Sequence, residues 1–342
     1  MLYVHVPFCG SFCTYCDFYS EIACDRKAEF GRYADELCSE AISRASEIAD
    51  TLAVNTLYFG GGTPSVLPVS LLEKIVSSLN SSVPGFDAAS CSEFTVEVNP
   101  EDIAEKGEVY VRSLLALGVN RISMGVQSLD DGMLRWMGRR HSAAGAEKAY
   151  GILRSAGVGN VSVDLMTGIS GMDDRMLMST LEKTVSWAPE HVSAYQLSIE
   201  EGSALGRMVE AGGYAEASQE HCRRQYDMVC DVLRKAGYVH YEISNWAKPG
   251  YEAVHNSAYW TRAPYVGLGP RAHSLRRDGA ADVRSWNSCA LSGWKQEMEV
   301  LSEDEIREEE IMLGLRTRKG YGGKVLSESE WFVSDDIISS LI

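Results

Sequence analysis

Long apolar runs are missing from this sequence: no stretch approaches the ~18 residues that a helix needs to span a bilayer. The first ten residues, MLYVHVPFCG, also have no basic segment and no long apolar core of the secretory type. We therefore expect a cytoplasmic protein without a membrane span. Basic residues are few, since 32 Lys and Arg stand against 48 Asp and Glu and give a net charge of −16. Such a surface repels phosphate backbones, so we expect no nucleic-acid partner.

Cysteine is present, but a disulfide framework is not. The nine cysteines are odd in number, and only Cys9, Cys13 and Cys16 lie close together in the sequence. In a reducing compartment such a cluster indicates metal binding or redox chemistry. A fourth neighbouring cysteine is missing, and so is the second Cys-x-x-Cys pair that a zinc knuckle would contribute.

The Cys9-x3-Cys13-x2-Cys16 spacing predicts a 4Fe-4S cluster with one open iron. A 4Fe-4S cube ordinarily takes four thiolates, one per iron, and this loop supplies three. The open iron can be chelated by the amino and carboxylate groups of S-adenosylmethionine. One electron from the cluster then breaks the sulfonium bond, and that radical chemistry belongs to the cofactor. A zinc site, a redox Cys-x-x-Cys pair and unligated loop cysteines are the alternatives.

Strand and helix patterns alternate along the first 200 residues. Strands are predicted at residues 2–7, 54–59, 93–98, 121–126, 161–166 and 191–199, with helices near 28–49, 69–79, 107–117, 145–156 and 174–187. This alternation is typical of parallel strands joined by right-handed crossovers. Eight repeats would close a barrel, so six predict an α/β fold with a partial (β/α)6 TIM-like barrel in residues 1–210. Residues 211–342 read as a smaller α+β accessory region.

Polar and glycine residues cluster where the predicted strands end, which is where (β/α) barrels place their chemistry. The candidates there are Gly61, Gly62, Thr63, Glu97, Gln127 and Asp164. The glycines let backbone amides approach an amino-carboxylate group closely, although tight turns use such runs too. Glu97 points opposite the apolar residues of its strand and can bind a cationic or hydroxyl group of the cofactor. An exposed strand-end carboxylate is the alternative reading.

With these residues placed, the sequence resembles the oxygen-independent coproporphyrinogen III oxidase-like family of radical-SAM proteins. The matching segments are YVHVPFCGSFCTYCDF, YFGGGTPS, FTVEVNP, RISMGVQS, GRRH and VDLMTG. The resemblance implies a radical-SAM barrel followed by a C-terminal region of the coproporphyrinogen oxidase type. It also implies that Tyr3 and Tyr15 flank the cluster and cofactor. The positions that match its S-adenosylmethionine-binding residues are Gly62, Thr63, Glu97, Gln127, Arg139 and Asp164.

Within that family the sequence is most similar to the haem-chaperone (HemW-like) branch. The decarboxylating oxidases carry a further cysteine where this chain has Phe18, and an N-terminal extension before the first strand. Residues 255–260, HNSAYW, match the HNxxYW motif of the chaperone branch. The resemblance implies haem or porphyrin as a ligand, an electron donor for the cluster and an apo-haem protein as recipient. His255 is the candidate haem ligand, because histidine is a usual axial ligand of haem iron.

Other readings stay open at this stage. Porphyrinogen propionate decarboxylation, the reaction of the oxidases, is the enzymatic alternative, and a zinc module built on the three cysteines is the non-enzymatic one. His255 can also be a packing residue of an aromatic-rich turn, with Tyr259 and Trp260 as its neighbours.

Overall fold

The computed structural model describes residues 1–201, 203–279 and 281–342, and it confirms the α/β partial barrel. The six parallel strands are β1 (Leu2–Val6), β2 (Thr56–Gly61), β3 (Glu93–Val98), β4 (Arg121–Gln127), β5 (Val161–Thr167) and β6 (His191–Gln196). Each strand pairs in parallel with the next one along the chain. Their carboxyl ends therefore meet at one edge of the sheet.

Helices connect and cover these strands. In the barrel half they are Ala23–Arg26, Phe30–Ser43, Ala45–Ala49, Val69–Ser82, Pro100–Ala116, Asp131–Trp136, Ala143–Ala156, Asp174–Trp187 and Ala204–Glu210. Later helices are Gln219–Lys235, Val254–Tyr259, Glu303–Leu315, Glu328–Trp331 and Ser334–Ser339. Short 3-10 turns occupy Lys27–Glu29, Pro64–Val66 and Ala88–Ser90.

The helix Ala143–Ala156 shows why these segments fold as they do. The Ser142 side chain accepts a hydrogen bond from the Gly145 amide at its start, and Gly157 ends it with φ 99°. Its buried residues include Ala146, Ala149 and Leu153, spaced at helical intervals, so one stripe packs on the sheet.

Four predicted helices have different bounds in the structure. The helices predicted at 69–79 and 145–156 differ by two or three residues at one end, as Val69–Ser82 and Ala143–Ala156, and the other two differ more. The helix predicted from residue 107 begins at Pro100, because proline suits the first turn of a helix, where its missing N–H costs nothing. Gly107 lies inside that helix with non-helical φ 70°. The helix predicted over residues 28–49 is divided at Arg44.

Six described strands follow residue 210, and three of them extend the barrel sheet on its two sides. The six are β7 (Val239–Glu242), β8 (Asn245–Ala247), β9 (Val266–Leu268), β10 (His273–Asp278), β11 (Ala281–Asn287) and β12 (Gln296–Leu301). Within the described residues the main sheet has nine strands in the order β9-β1-β2-β3-β4-β5-β6-β8-β7. Strand β9 runs parallel to β1, whereas β8 is antiparallel to β6. Strands β10, β11 and β12 form a separate antiparallel sheet.

Helix length and polarity also bear on membrane insertion. Across the described ranges, no helix combines the length and apolar character needed to cross a bilayer.

Candidate functional site

A cavity of about 930 Å³ opens at the carboxyl ends of the parallel strands. We call it the central cavity. Among the residues that line it are Tyr3, Cys9, Cys13, Tyr15, Cys16, Gly61, Gly62, Thr63, Glu97, Gln127, Arg139 and Asp164. The site residues predicted from the sequence thus meet at one place, with the exception of His255.

The cysteine loop follows β1 and is tied to the barrel at several points. Phe8–Cys9 pairs in parallel with Glu21–Ile22, which closes the base of the loop. Thr14 at its tip donates from its amide to the Met137 carbonyl at 3.0 Å and from its hydroxyl to the Trp136 carbonyl at 2.8 Å. Hydrogen bonds thus hold the base and the tip of the loop, and its three thiols face the same cavity.

The spacing of the three sulfur atoms bears on which metal group they can hold. The Sγ atoms of Cys9, Cys13 and Cys16 do not all lie within 4.8 Å of one another. Three thiolates on one tetrahedral zinc, at Zn–S of about 2.3 Å, would lie roughly 3.8 Å apart. In a 4Fe-4S cube each thiolate binds a different iron, so thiols that do not all lie this close together are compatible with such a cluster.

The thiols sit in a partly desolvated pocket. Burial raises the pKa of the Cys9 thiol, and it raises the pKa of Cys16 to about 11, with the neighbouring Cys13 acting in the same direction. Thiolates gathered here without a cation would repel one another. The pocket therefore favours thiolates only when positive charge, such as iron, arrives with them.

A hydrogen-bonded chain joins two of these cysteines across the ends of three strands. The Cys9 Sγ lies 3.6 Å from the Thr63 hydroxyl. That hydroxyl accepts a hydrogen bond from the side-chain Nδ2 of Asn99 at 3.1 Å. Arg139 donates to the Asn99 oxygen at 2.6 Å and to the Cys13 Sγ at 3.4 Å. The Nε of Arg139 is buried and has no partner, which leaves a donor available to a ligand in the cavity.

Two half-buried carboxyl groups, Glu97 and Asp164, line the wall of the cavity. Glu97 accepts a 2.6 Å hydrogen bond from the Tyr58 hydroxyl, and burial raises its pKa to about 7. Asp164 accepts bonds from the hydroxyls of Ser123 at 2.9 Å and Ser162 at 3.2 Å, and burial raises its pKa too. Glu97 can therefore accept from, or share a proton with, a polar ligand at neutral pH, and Asp164 adds further acceptor oxygens to the cavity wall.

The glycine run after β2 is required for close packing. The amides of Gly62 and Thr63 donate to the carbonyl oxygens of Val6 at 2.8 Å and Phe8 at 2.7 Å, so both are already used within the protein. A Cβ at Gly62 would lie 2.6 Å from the Phe8 carbonyl oxygen. Gly61 has φ 103°, which favours glycine over residues with a side chain.

The end of β4 is irregular where it meets the cavity. Gln127 adopts φ 65°, and the pairing of β4 with β5 shifts between Gly125 and Gln127. A Cβ at Gly125 would lie 2.9 Å from the side-chain Nε2 of Gln127 and 3.4 Å from the Nη2 of Arg139. The bulge turns the Gln127 side chain into the cavity, a common use of such irregularities near binding sites.

Sequence reasoning missed several cavity residues. They are Tyr58, Arg121, Ser193, Arg271 and His273. Arg121, 2% exposed, donates to the Thr95 hydroxyl at 3.5 Å. The signal for the strand residues was the two-residue period, since Tyr58, Arg121 and Ser193 point to the same side of the sheet as Glu97. Arg271 and His273 had no such signal, because a three-residue strand precedes them.

His255 lies at the other end of the barrel, among the residues that begin the strands. Its Nδ1 is 2.8 Å from the hydroxyl of Thr56, the first residue of β2, and its Nε2 is 3.0 Å from the Tyr259 hydroxyl. The amides of Val254 and His255 donate to the Glu93 carboxylate at 2.7 and 3.3 Å. The motif thus forms a short helix, not a turn, and its residues Asn256 and Tyr259 line the central cavity although His255 does not. Ligation of haem iron by His255 would require its 1% exposed ring to leave both partners.

Comparisons with known proteins agree with this geometry. Residues 3–184 match the family model described as Radical SAM superfamily. The chain is 32% identical over 322 residues to Heme chaperone HemW of Lactococcus lactis, covering 93% of this chain and 82% of the relative. It is also 32% identical over 348 residues to Heme chaperone HemW of Bacillus subtilis, covering 99% and 89%.

A mitochondrial relative and a solved structure extend the comparison. The mouse protein named Radical S-adenosyl methionine domain-containing protein 1 is 32% identical over 333 residues, which are 93% of this chain and 73% of that protein. Coproporphyrinogen III oxidase (HemN) from Escherichia coli superposes with a TM-score of 0.77 at 21% identity, covering 92% of this chain and 75% of that one. The structural likeness shows a shared fold. From the family match and the curated relatives, the chain belongs to the radical SAM superfamily, in the haem-chaperone (HemW) group.

Proposed function

We propose that this protein is a haem chaperone that binds a 4Fe-4S cluster, S-adenosylmethionine and haem, and transfers haem to apoproteins. The single observation that carries the proposal is the central cavity, which gathers three cysteine thiols and a set of polar groups at the carboxyl ends of the strands. Its volume is at the upper end of the roughly 300–1,000 Å³ that small-molecule pockets occupy. The curated relatives named haem chaperone support the cargo.

The cavity residues divide into those that hold the cluster and those that hold the cofactor. Cys9, Cys13 and Cys16 would bind three irons, and Arg139 next to Cys13 would offset the charge of the thiolates. Glu97 and Asp164 would orient polar groups of the nucleoside or its amino acid end. When bound, the cluster and S-adenosylmethionine together supply a one-electron route to a carbon radical.

Phe18 is the position at which the sequence departs from the oxidases. Phe18, which stands where the oxidases have a further cysteine, is 73% exposed and lines the central cavity. An apolar ring presents a flat surface on which a porphyrin can pack. Because the curated relatives are named haem chaperone, we propose the porphyrin as cargo, and we expect no protoporphyrinogen after anaerobic incubation with coproporphyrinogen, dithionite and S-adenosylmethionine.

We also propose a reducing, cytoplasmic setting. All nine cysteines of the chain are free thiols, and such thiols persist where glutathione and thioredoxin keep them reduced. An electron donor for the cluster and an apo-haem protein that receives the haem are the partners that this function requires.

Haem titration tests the proposal directly. We expect the full-length protein, reconstituted with iron and sulfide without oxygen, to give a saturable, shifted Soret band when haem is added. We expect the loaded protein to pass haem to an apo-cytochrome of the b type faster than free haem at the same concentration would bind. Binding no tighter than that to an unrelated protein of similar negative charge would overturn the chaperone assignment.

The Glu97 carboxyl makes S-adenosylmethionine binding depend on pH. Since burial raises its pKa to about 7, the ionised fraction rises from roughly one tenth at pH 6 to nine tenths at pH 8. A carboxylate that accepts from hydroxyl or ammonium groups of the cofactor should then bind it about tenfold more tightly at pH 8 than at pH 6. Calorimetric titration of the reconstituted protein measures this step.

The variant Glu97→Gln should lose that tenfold step. Glu105→Gln is the matched control, because Glu105 is exposed on the helix Pro100–Ala116 and does not line the cavity. A Glu97→Gln protein whose affinity follows pH as the wild type does would show that another group causes the step.

A further inference from the structure

The loop after β9 lies at the same edge of the sheet as the cysteine loop. Strand β9 is parallel to β1, with Leu2 opposite Val266 and Val4 opposite Leu268. Residues 269–272 therefore leave β9 at its carboxyl end, beside the carboxyl end of β1. A Cβ at Gly269 would lie 2.7 Å from the His5 carbonyl oxygen, which shows how closely this loop packs on β1. Ligands of parallel sheets bind at this edge.

His273, which follows this loop, presents an imidazole that is free to bind a ligand. It lines the central cavity and is exposed, and its ring stacks at 6.2 Å on Trp286. Within the described part of the chain, neither of its ring nitrogens makes a hydrogen bond to the protein. His5, the other histidine of the cavity wall, is occupied, because its ring nitrogens lie 3.1 Å from the Tyr3 hydroxyl and 3.1 Å from the Tyr19 carbonyl oxygen.

The electrostatic surroundings keep the His273 ring in the form that binds metals. Burial of part of the side chain lowers its pKa, and the charges of Arg284 and Arg271 act in the same direction. The ring is therefore neutral near pH 7 and offers a lone pair. Neutral imidazole is the form that ligates haem iron.

Arg271 supplies the charge that a haem needs in this acidic protein. The chain has a net charge of −16, and haem carries two propionates. Two other arginines of the cavity are partly used, because Arg121 donates to Thr95 and Arg139 donates to Asn99 and Cys13, and each keeps only a buried Nε without a partner. Arg271 lines the cavity, is exposed, and makes no ion pair with a carboxylate among the residues that the structure describes. Guanidinium groups bind carboxylates through a two-pronged contact.

We propose that His273 is the axial ligand of the haem iron and that Arg271 binds a haem propionate at the mouth of the central cavity. The flat faces of Phe18, Tyr19 and Tyr265, which line the same cavity, would pack against the porphyrin. This assignment rests on the proposed chaperone function and specifies where on the protein the haem sits. It places the cargo against the same cavity wall as the cysteine loop.

Haem titration of four variants tests the assignment by spectroscopy. With Fe(III) haem added to full-length reconstituted protein, we expect His273→Ala to bind at least about tenfold more weakly and to lose the Soret and EPR features of histidine ligation. His273→Gly should regain those features when free imidazole is added. Arg271→Met should bind about three- to tenfold more weakly and show less dependence on salt. His221→Ala, on the helix Gln219–Lys235 and outside the cavity, is the control and should bind as the wild type does.

The outcomes separate this assignment from the chaperone function. A wild type that does not bind haem removes the proposed function itself. A wild type that binds, together with a His273→Ala spectrum identical to it, leaves the chaperone function standing and overturns only the ligand. The same holds if imidazole fails to restore the spectrum of a His273→Gly protein that melts at the wild-type temperature.

Discussion

Replacing Cys16 by alanine should abolish the 4Fe-4S cluster. The loop supplies three thiolates for a cube of four irons, and a cube left with two protein ligands is not retained. After anaerobic reconstitution we expect iron and sulfide to fall from about four of each per chain to below about one. The EPR signal of the reduced cluster, and its change on adding S-adenosylmethionine, should disappear together.

The exposed Cys24 provides a matched control for that experiment. It lies eight residues after Cys16 and does not line the central cavity, so Cys24→Ala should keep the full iron content and the cofactor-dependent EPR signal. A Cys16→Ala protein that still holds a cubane would mean that another group ligates the cluster. Zinc without sulfide in the wild type would instead support the mononuclear alternative.

The barrel could be predicted from the sequence because its signals are local. Each parallel strand is a short apolar run, and each following helix carries its own apolar stripe and end signals, such as Ser142 and Gly157. The bounds of β3 match the prediction, and those of β4 and β5 differ by one residue at one end. The alternation fixes which strands neighbour each other, since such connections are short and right-handed.

The attachment of the later strands could not be predicted, because it depends on contacts between distant parts of the chain. Strand β9 has three residues and pairs with β1, more than 260 positions earlier in the sequence. Its apolar pattern does not indicate a partner. The sequence alone therefore could not predict that the loop carrying Arg271 and His273 lies at the site.

The same limitation explains the position of His255. Its motif was assigned from a resemblance, and the sequence showed only a histidine near aromatic residues. The helix Val254–Tyr259 has six residues, too few to form alone, and it is stabilised by Glu93, which lies 161 residues before Val254. A carboxylate that accepts from amides at a helix start is a favourable cap, but no local pattern predicts one across such a separation.

The buried polar groups at the two ends of the barrel have different surroundings. At the carboxyl ends of the strands the buried polar groups include an unpartnered donor, Arg139 Nε, and residues open to the cavity. At the amino ends His255 bonds to Thr56 and Tyr259, while Arg121, the first residue of β4, keeps a buried Nε without a partner. In barrels of this type the first end carries the chemistry and the second carries stability.

Removing the His255 side chain should therefore act mainly on stability. His255→Ala leaves a void and two hydroxyls without a partner, and we expect the free energy of unfolding at pH 7 to fall by about 2–4 kcal/mol. Thr56→Val removes the hydrogen bond between Thr56 and His255 but keeps the imidazole ring. It should lower the free energy of unfolding by less, about 1 kcal/mol. Urea unfolding of the apo protein measures both changes, with His221→Ala as the control that stays near the wild type.

The pH dependence of unfolding distinguishes a buried packing histidine from an accessible ligand. Burial lowers the pKa of His255 to about 3, whereas the unfolded chain titrates near 6.5. Below pH 6.5 the His255 imidazole binds a proton in the unfolded chain but stays neutral in the folded protein. Its contribution to the free energy of unfolding is therefore complete above pH 6.5 and is lost as the pH falls toward 3. Between pH 7 and pH 5 this group alone should cost the wild type roughly 2 kcal/mol, at about 1.4 kcal/mol per pH unit. His255→Ala should lack that part of the loss while the other buried histidines contribute equally to both proteins. Equal pH dependence in the two proteins would mean that the His255 ring is accessible to protons. His255 would then again be a candidate haem ligand.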